Sequence, residues 1–314
     1  MINEKRLLDT FIGYAMIDSE TKNEKAMGEK LVEDLKALGL EVKTDKAGEG
    51  FGSNGFNVCA YLPGTIPGEP TIMCAHMDTV TPGNGIKPLI DDGIIHTDGS
   101  TILSGDDKSG IAAIMEAVKV IKEQNLPCRN TEILFTIGEE GGMNGVKNMD
   151  LSMIKGKEAM VFDASGDVGK ILTCGPGQIK IFATIIGRSS HAGLAPEEGI
   201  SAIQVAAKGI AKMNLLRIDE ETTCNIGTLK AEYATNIVPE KAEFVAEVRS
   251  RNLDKLNAQA AHMQKCLQDA CDEMGAKLEI ELKTNYVSFN VANDDPMVQR
   301  VFESCKRIGC EPMT

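Results

Sequence analysis

Apolar positions along this chain recur with two periods, and the alternation between them lays out the architecture. In residues 24–38, Met27, Leu31, Leu35 and Leu38 share one helical stripe, and Gly39 follows as a natural stop. Leu7, Leu8, Phe11 and Ile12 fit one face of a shorter helix near the start. β-rich apolar runs at 56–62, 71–75, 132–137 and 158–162 predict strands. Between the second and third runs, Ile111, Ile114, Met115, Val118 and Ile121 form the buried face of a helix over 108–122. This alternation predicts an α/β fold, with a mixed or mainly parallel sheet flanked by helices.

A second pattern starts after Gly175-Pro176-Gly177. Strands are predicted at 178–186, 222–229, 241–250 and 277–287, with helices at 199–213 and 254–274. The order βαββαβ is that of an α+β, ferredoxin-like unit. The predicted organisation is therefore a first domain begun by 1–177, an insertion over 178–290, and a return to the first domain over 291–314. The return carries an apolar-striped helix at 295–308. In an α/β layer such a helix feeds another strand, so the first domain is expected to be unfinished at Thr314.

The polar residues that matter follow the strands. His76 closes the 71–75 run, and Asp78, two residues on, falls on the same side of an extended backbone. Glu139 and Glu140 follow the 132–137 run, and Gly141-Gly142 then releases the chain into a turn. Asp163 follows the 158–162 run, and Asp106 and Asp107 precede the helix at 108. Taken singly, these residues also suit capping, turn or surface positions. Together they bring one imidazole and several carboxylates to the carboxyl ends of strands, where open α/β sheets bind ligands. Neutral imidazole and carboxylate are good Zn²⁺ ligands, and an aspartate that bridges two cations makes a hydrolytic pair. Adjacent glutamates diverge, so one can hold metal while its neighbour faces substrate.

Composition narrows the partners. The 314 residues carry a formal net charge of -13, which argues against a nucleic-acid partner. No apolar run is long enough to span a bilayer, and residues 1–18 lack an uninterrupted signal-peptide core. The nine cysteines are odd in number and scattered, which predicts reduced thiols in a cytoplasmic protein.

At these residues the chain resembles the M20 family of co-catalytic zinc peptidases and deacylases, and within it the peptidase T-like tripeptide aminopeptidases. The resemblance runs along nearly the whole chain. It is carried by His76-Met77-Asp78-Thr79-Val80, Gly105-Asp106-Asp107-Lys108-Ser109-Gly110, Gly138-Glu139-Glu140-Gly141 and Ser190-His191-Ala192-Gly193. It implies two Zn²⁺ ions per subunit, with Co²⁺ or Mn²⁺ as alternatives. His76 and Asp163 would hold one ion and Glu140 the other, with Asp106 between them and a cis peptide bond after it. Asp78 would orient His76, and Glu139 would be the general base. His191, in the inserted domain, would stabilise the developing oxyanion, often from the partner subunit of a dimer formed through that lid.

Asn236 matches a substrate-contacting asparagine of the family. Arg249 is a candidate for the substrate's carboxylate, for which a guanidinium fork is suited, and Arg251 competes with it. His96 and His262 match no ligand and are expected to be structural. The resemblance implies a last metal-binding histidine from the C-terminal part of the catalytic domain; no histidine follows His262, so that ligand is expected to be missing here. The expected activity is aminopeptidase action on short peptides. The alternatives are a deacylase of N-acyl amino acids, or an inactive truncated scaffold that binds or dimerises.

Overall fold

A computed structural model describes residues 2–314. They form two compact units, one ending at Gly166 and the other comprising Asp167–Thr314. Among the described residues no helix is long and apolar enough to cross a membrane.

The first unit contains, in order, α1 (Glu4–Ala15), α2 (Lys25–Ala37), β1 (Glu41–Thr44), β2 (Val58–Leu62), β3 (Ile66–His76), β4 (Leu89–Asp91), β5 (Ile94–His96), α3 (Gly105–Glu123), β6 (Arg129–Thr136), α4 (Asn144–Lys147) and β7 (Glu158–Val161). Its main sheet has the order β1-β2-β6-β3-β7. β3 runs parallel to both neighbours, β6 and β7, while β1, β2 and β6 pair antiparallel. The stripe Met27, Leu31 and Leu35 of α2 packs with Ile111, Ile114, Met115 and Val118 of α3. These residues bury Val58, Ala60, Ala75, Ile133 and Phe135 on one face of the sheet. On the other face Cys59, Ile72 and Leu134 pack against Met149 and Met153.

The four predicted strands are present within a few residues, and β3 extends to include His76 itself. The edge strand β1 was not predicted. It is four residues long and mostly exposed, so it carries little periodicity. α3 begins at Gly105, but Asp106 and Asp107 have non-helical backbone angles.

The second unit contains β8 (Cys174–Gly175), β9 (Gly177–Ile186), α5 (Ala202–Ala211), β10 (Leu216–Arg217), β11 (Thr222–Lys230), β12 (Lys241–Ser250), α6 (Leu253–Met274), β13 (Lys277–Tyr286), β14 (Phe289–Asn290) and α7 (Pro296–Arg307). The sheet order is β10-β11-β12-β9-β13, with every pair antiparallel. The four long strands therefore lie in the ferredoxin-like order that βαββαβ predicts. Ala242, Phe244, Ala246 and Val248 alternate on the buried face of β12 and pack with α5 and α6. β8 and β14 pair separately, and after α7 the chain returns so that the Ile171 amide donates to Met313 O at 2.8 Å.

Candidate metal centre

Three adjacent parallel strands frame the site. From β3 the chain crosses to β6 on one side, then to β7 on the other, so β3 lies at the point where the connections reverse. Open α/β sheets bind ligands beyond the carboxyl ends of the strands at such a point. His76 ends β3, the loop after β6 carries Glu139 and Glu140, and the loop after β7 carries Asp163. Asp106, at the start of α3, completes the rim, and its peptide bond to Asp107 is cis.

His76 is buried and its ring is held from both sides. Nδ1 lies 2.9 Å from the main-chain oxygen of Asp78, and Nε2 lies 2.8 Å from Asp106 Oδ1 and 3.8 Å from Asp163 Oδ1. The Asp78 carboxylate is farther from Nδ1, at 3.5 Å, so the carbonyl is the nearer acceptor. With Nδ1 donating to that carbonyl, loss of the Nε2 proton would turn its lone pair toward the carboxylates, the tautomer a metal-binding imidazole needs. Burial works to lower the imidazole pKa, but Asp78 and the surrounding acidic groups outweigh it and raise it to about 10.

The carboxylate of Asp78 also acts beyond the imidazole. Oδ1 accepts the Glu139 amide at 2.9 Å, and Oδ2 accepts the Glu140 amide at 3.1 Å and the Thr21 hydroxyl at 2.8 Å. One fully buried aspartate thus supports the imidazole through its backbone and the two glutamates through its side chain. The turn also needs a glycine. Gly138 has φ +61, and a Cβ there would stand 2.7 Å from the Phe51 ring.

Two groups of donors meet at the rim. His76, Asp106 and Glu140 place ligand atoms within 4.8 Å of one another, and so do His76, Glu139 and Asp163. The electrostatics match a cation site. Burial, then the neighbouring carboxylates, hold Asp163, Glu139 and Glu140 above the usual carboxylate range. Asp107 turns inward and accepts the His76 amide at 3.1 Å, and burial pushes it up to about 8. Four acidic groups crowded around one imidazole are stabilised by added positive charge, and oxygen and imidazole nitrogen are the donors that zinc-like ions take. The residues present fit divalent metal.

The remaining predicted residues lie in the second unit. His191 is exposed, and its Nδ1 accepts the Gly193 amide at 3.2 Å, so its ring proton sits on Nε2, free to donate. Asn236 is brought beside it: the Ala192 amide donates to Asn236 O at 2.9 Å, and His191 bridges to Ile237. Arg249 forks onto Glu247 of the same strand, with Nε 2.9 Å from Oε1. Arg251 reaches the main-chain oxygen of Glu220 instead. His96 pairs with Asp91 across the β4–β5 hairpin, and His262 accepts the Asn214 amide at 3.2 Å.

Three supporting residues escaped the sequence reading. Thr21, Glu24 and Asn57 all hydrogen-bond to Asp78 or to the loop after β6. Glu24 reads as the first residue of an amphipathic helix, and nothing local marks it as buried.

Comparison with known proteins agrees with this geometry. A model of the peptidase family M28 matches residues 57–174, and a model of the M20 peptidase dimerisation domain matches residues 176–275. The uncharacterized protein YqjE of Bacillus subtilis is 42% identical over 309 residues, 98% of this chain and 83% of its own length. The solved structure of aminopeptidase PepT from Bacillus cereus superposes with a TM-score of 0.95 at 42% identity, over 99% of this chain and 84% of that one. The chain belongs to the M20 family, in its peptidase T-like branch. A tripeptidase structure from Staphylococcus aureus is similar to the same degree, with a TM-score of 0.95 at 39% identity over 99% of this chain and 83% of that one. This M20 member is a metallopeptidase with a mixed α/β fold and a dimerisation domain. The 176–275 match begins just after β8 and ends at the close of α6.

Proposed function

We propose that this M20 member is an aminopeptidase of short peptides, tripeptides foremost, that works with two divalent ions, most naturally Zn²⁺. The observation that carries the reading is that His76 is shared by two donor groups, one with Asp106 and Glu140 and one with Glu139 and Asp163. His76 and Asp163 would hold one ion and Glu140 the other, with Asp106 between them. When bound, the ions would polarise the scissile carbonyl and lower the pKa of the attacking water.

Glu139 is assigned the proton transfers. It takes a proton from the attacking water and delivers it to the leaving amine. Burial raises its pKa above that of a free glutamate, which makes it a better base. Glu140 is less buried than Glu139, which suits a ligand at the open rim. Its amide and that of Glu139 are both held by Asp78, so the two side chains leave a fixed backbone in different directions. His191, with its proton on Nε2, is the donor assigned to the oxyanion. Asn236, held beside it, contacts substrate, and Arg249 meets the peptide's carboxylate. The lid over 178–290 would pair with a second copy, and the catalytic domain would take 1–177 and 291–314.

The test is product analysis. Protein loaded with Zn²⁺, Co²⁺ or Mn²⁺ in turn is given tripeptides and N-acyl amino acids, and products are identified by mass spectrometry. Release of the N-terminal residue from tripeptides, abolished by a chelator and restored by metal, supports the proposal. Cleavage of N-acyl amino acids alone would make it a deacylase. Bound metal with neither activity would make it a scaffold.

A further inference from the structure

Four consecutive main-chain amides at the end of β6 are each held by a buried side chain from elsewhere in the first unit. The Ile137 amide donates to Asn57 Oδ1 at 3.1 Å, and the Gly138 amide to Glu24 Oε1 at 3.1 Å. The Glu139 and Glu140 amides donate to the two oxygens of Asp78 at 2.9 and 3.1 Å. Asn57, Glu24 and Asp78 are all fully buried. Residues 137–140 are therefore set from behind by groups that never reach the solvent side.

Glu24 is the unexpected member. It is a buried acidic side chain held by hydrogen-bond donors of no charge: the amides of Lys22 at 2.9 Å and Gly138 at 3.1 Å, and the Ser53 hydroxyl at 2.5 Å. Burying a carboxylate costs free energy unless its oxygens are satisfied, and here both are. One oxygen is used on Gly138, the residue whose φ of +61 turns the chain before Glu139. Lys22, whose amide shares that oxygen, has φ +80, so two left-handed residues are joined through one acceptor. The same segment supplies Thr21 to Asp78 at 2.8 Å.

We propose that Glu24 is a positioning residue for the proton-transfer step. By holding the Gly138 amide it fixes the direction in which the Glu139 side chain leaves β6. Glu24 touches neither ligand nor reacting atoms. This inference rests on the assignment of Glu139 as base.

The test uses Glu24→Ala and Glu24→Gln, the latter keeping an oxygen acceptor for Gly138 and Lys22. In Glu24→Ala, kcat should fall on the order of tenfold to a hundredfold, with KM within about threefold and bound zinc per chain unchanged, as expected when a reacting group shifts by a fraction of an ångström. Glu24→Gln should recover kcat to within about threefold of the parent protein. A second readout needs no catalysis. In metal-free protein, hydrogen exchange at the Gly138 amide should quicken at least about tenfold in Glu24→Ala and return toward the parent rate in Glu24→Gln.

A folded Glu24→Ala protein with unchanged exchange at Gly138, or with kcat within about twofold of the parent, overturns the proposal. So does equal loss in both variants, or a fall in kcat that merely follows lost zinc. If Glu24→Ala does not fold, Ser53→Ala carries the same test: it removes the donor to the second carboxylate oxygen, along with the acceptor of the Gly55 amide, and should give a smaller change of the same kind. If Glu139→Ala leaves kcat intact, the base assignment fails, while the exchange result still reports on the hold of Glu24.

Discussion

Asp78 and Glu139 are 61 residues apart in sequence, yet Asp78 Oδ1 accepts the Glu139 amide at 2.9 Å. The other oxygen takes the Glu140 amide and the Thr21 hydroxyl, while Oδ1 also lies 3.5 Å from the His76 ring, whose nearer acceptor is the Asp78 carbonyl. Asp78→Asn would turn an N–H₂ group toward one of these donors and leave a buried amide unpaired. The expected cost is about 1–3 kcal/mol of stability, with kcat falling together with it. Denaturant unfolding beside steady-state kinetics checks this, and unchanged stability would mean that the loop holds itself.

The two neighbouring glutamates should part on metal content. Glu139→Ala should leave zinc stoichiometry near that of the parent, while hydrolysis drops by roughly two to four orders of magnitude, as for loss of a general base. Glu140→Ala and His76→Ala should weaken zinc binding first and lose activity as a consequence. Elemental analysis after dialysis separates the cases. Metal loss in Glu139→Ala would make that residue a ligand, as its place beside His76 and Asp163 allows.

Metal binding should be coupled to a proton. In the metal-free protein the His76 pKa stands at about 10, so below that pH an incoming ion must displace the proton from Nε2. Apparent zinc affinity should therefore climb by about tenfold per pH unit between neutrality and pH ~9, for one linked proton. Zinc titration calorimetry in two buffers of different ionisation heat measures the proton released. For folding of the metal-free protein the raised pKa acts in the other direction. The imidazolium contributes stability in full below its ordinary value of 6.5, and that contribution disappears as the pH rises through about 10.

Gly138→Ala tests the turn itself. The new methyl would meet the Phe51 ring at 2.7 Å on a residue with φ +61. A loss on the order of 1–3 kcal/mol is expected, read as a lower melting temperature. A neutral result would show that the loop has room to shift.

If His191 is the proposed oxyanion donor, His191→Ala should lower kcat by on the order of a hundredfold to a thousandfold without changing zinc content, because such a group donates only as the oxyanion forms. His191→Gln, which keeps a donor, should recover part of the loss. A variant with parent kcat removes His191 from the mechanism.

Much of this protein was legible in one dimension. Periodicity placed α2, α3 and the long strands of both sheets, though not the short edge strands β1 and β10, because burial on one face writes itself into every third or second residue. His76, Glu139 and Asp163 stood out because each directly follows an apolar strand, and strand ends are local facts. Tertiary structure alone decided what holds these groups. Glu24 looks like a surface helix residue until Gly138, 114 positions later, closes over it. Asn57 looks like the start of a strand until Ile137 and Gly145 reach its amide. Asp78 is expected to serve His76, and only the fold shows that its carboxylate also takes two distant backbone amides. A hydrogen bond between residues far apart in the chain leaves no periodic trace in sequence, so the candidate ligands could be picked out there and the frame that holds them could not.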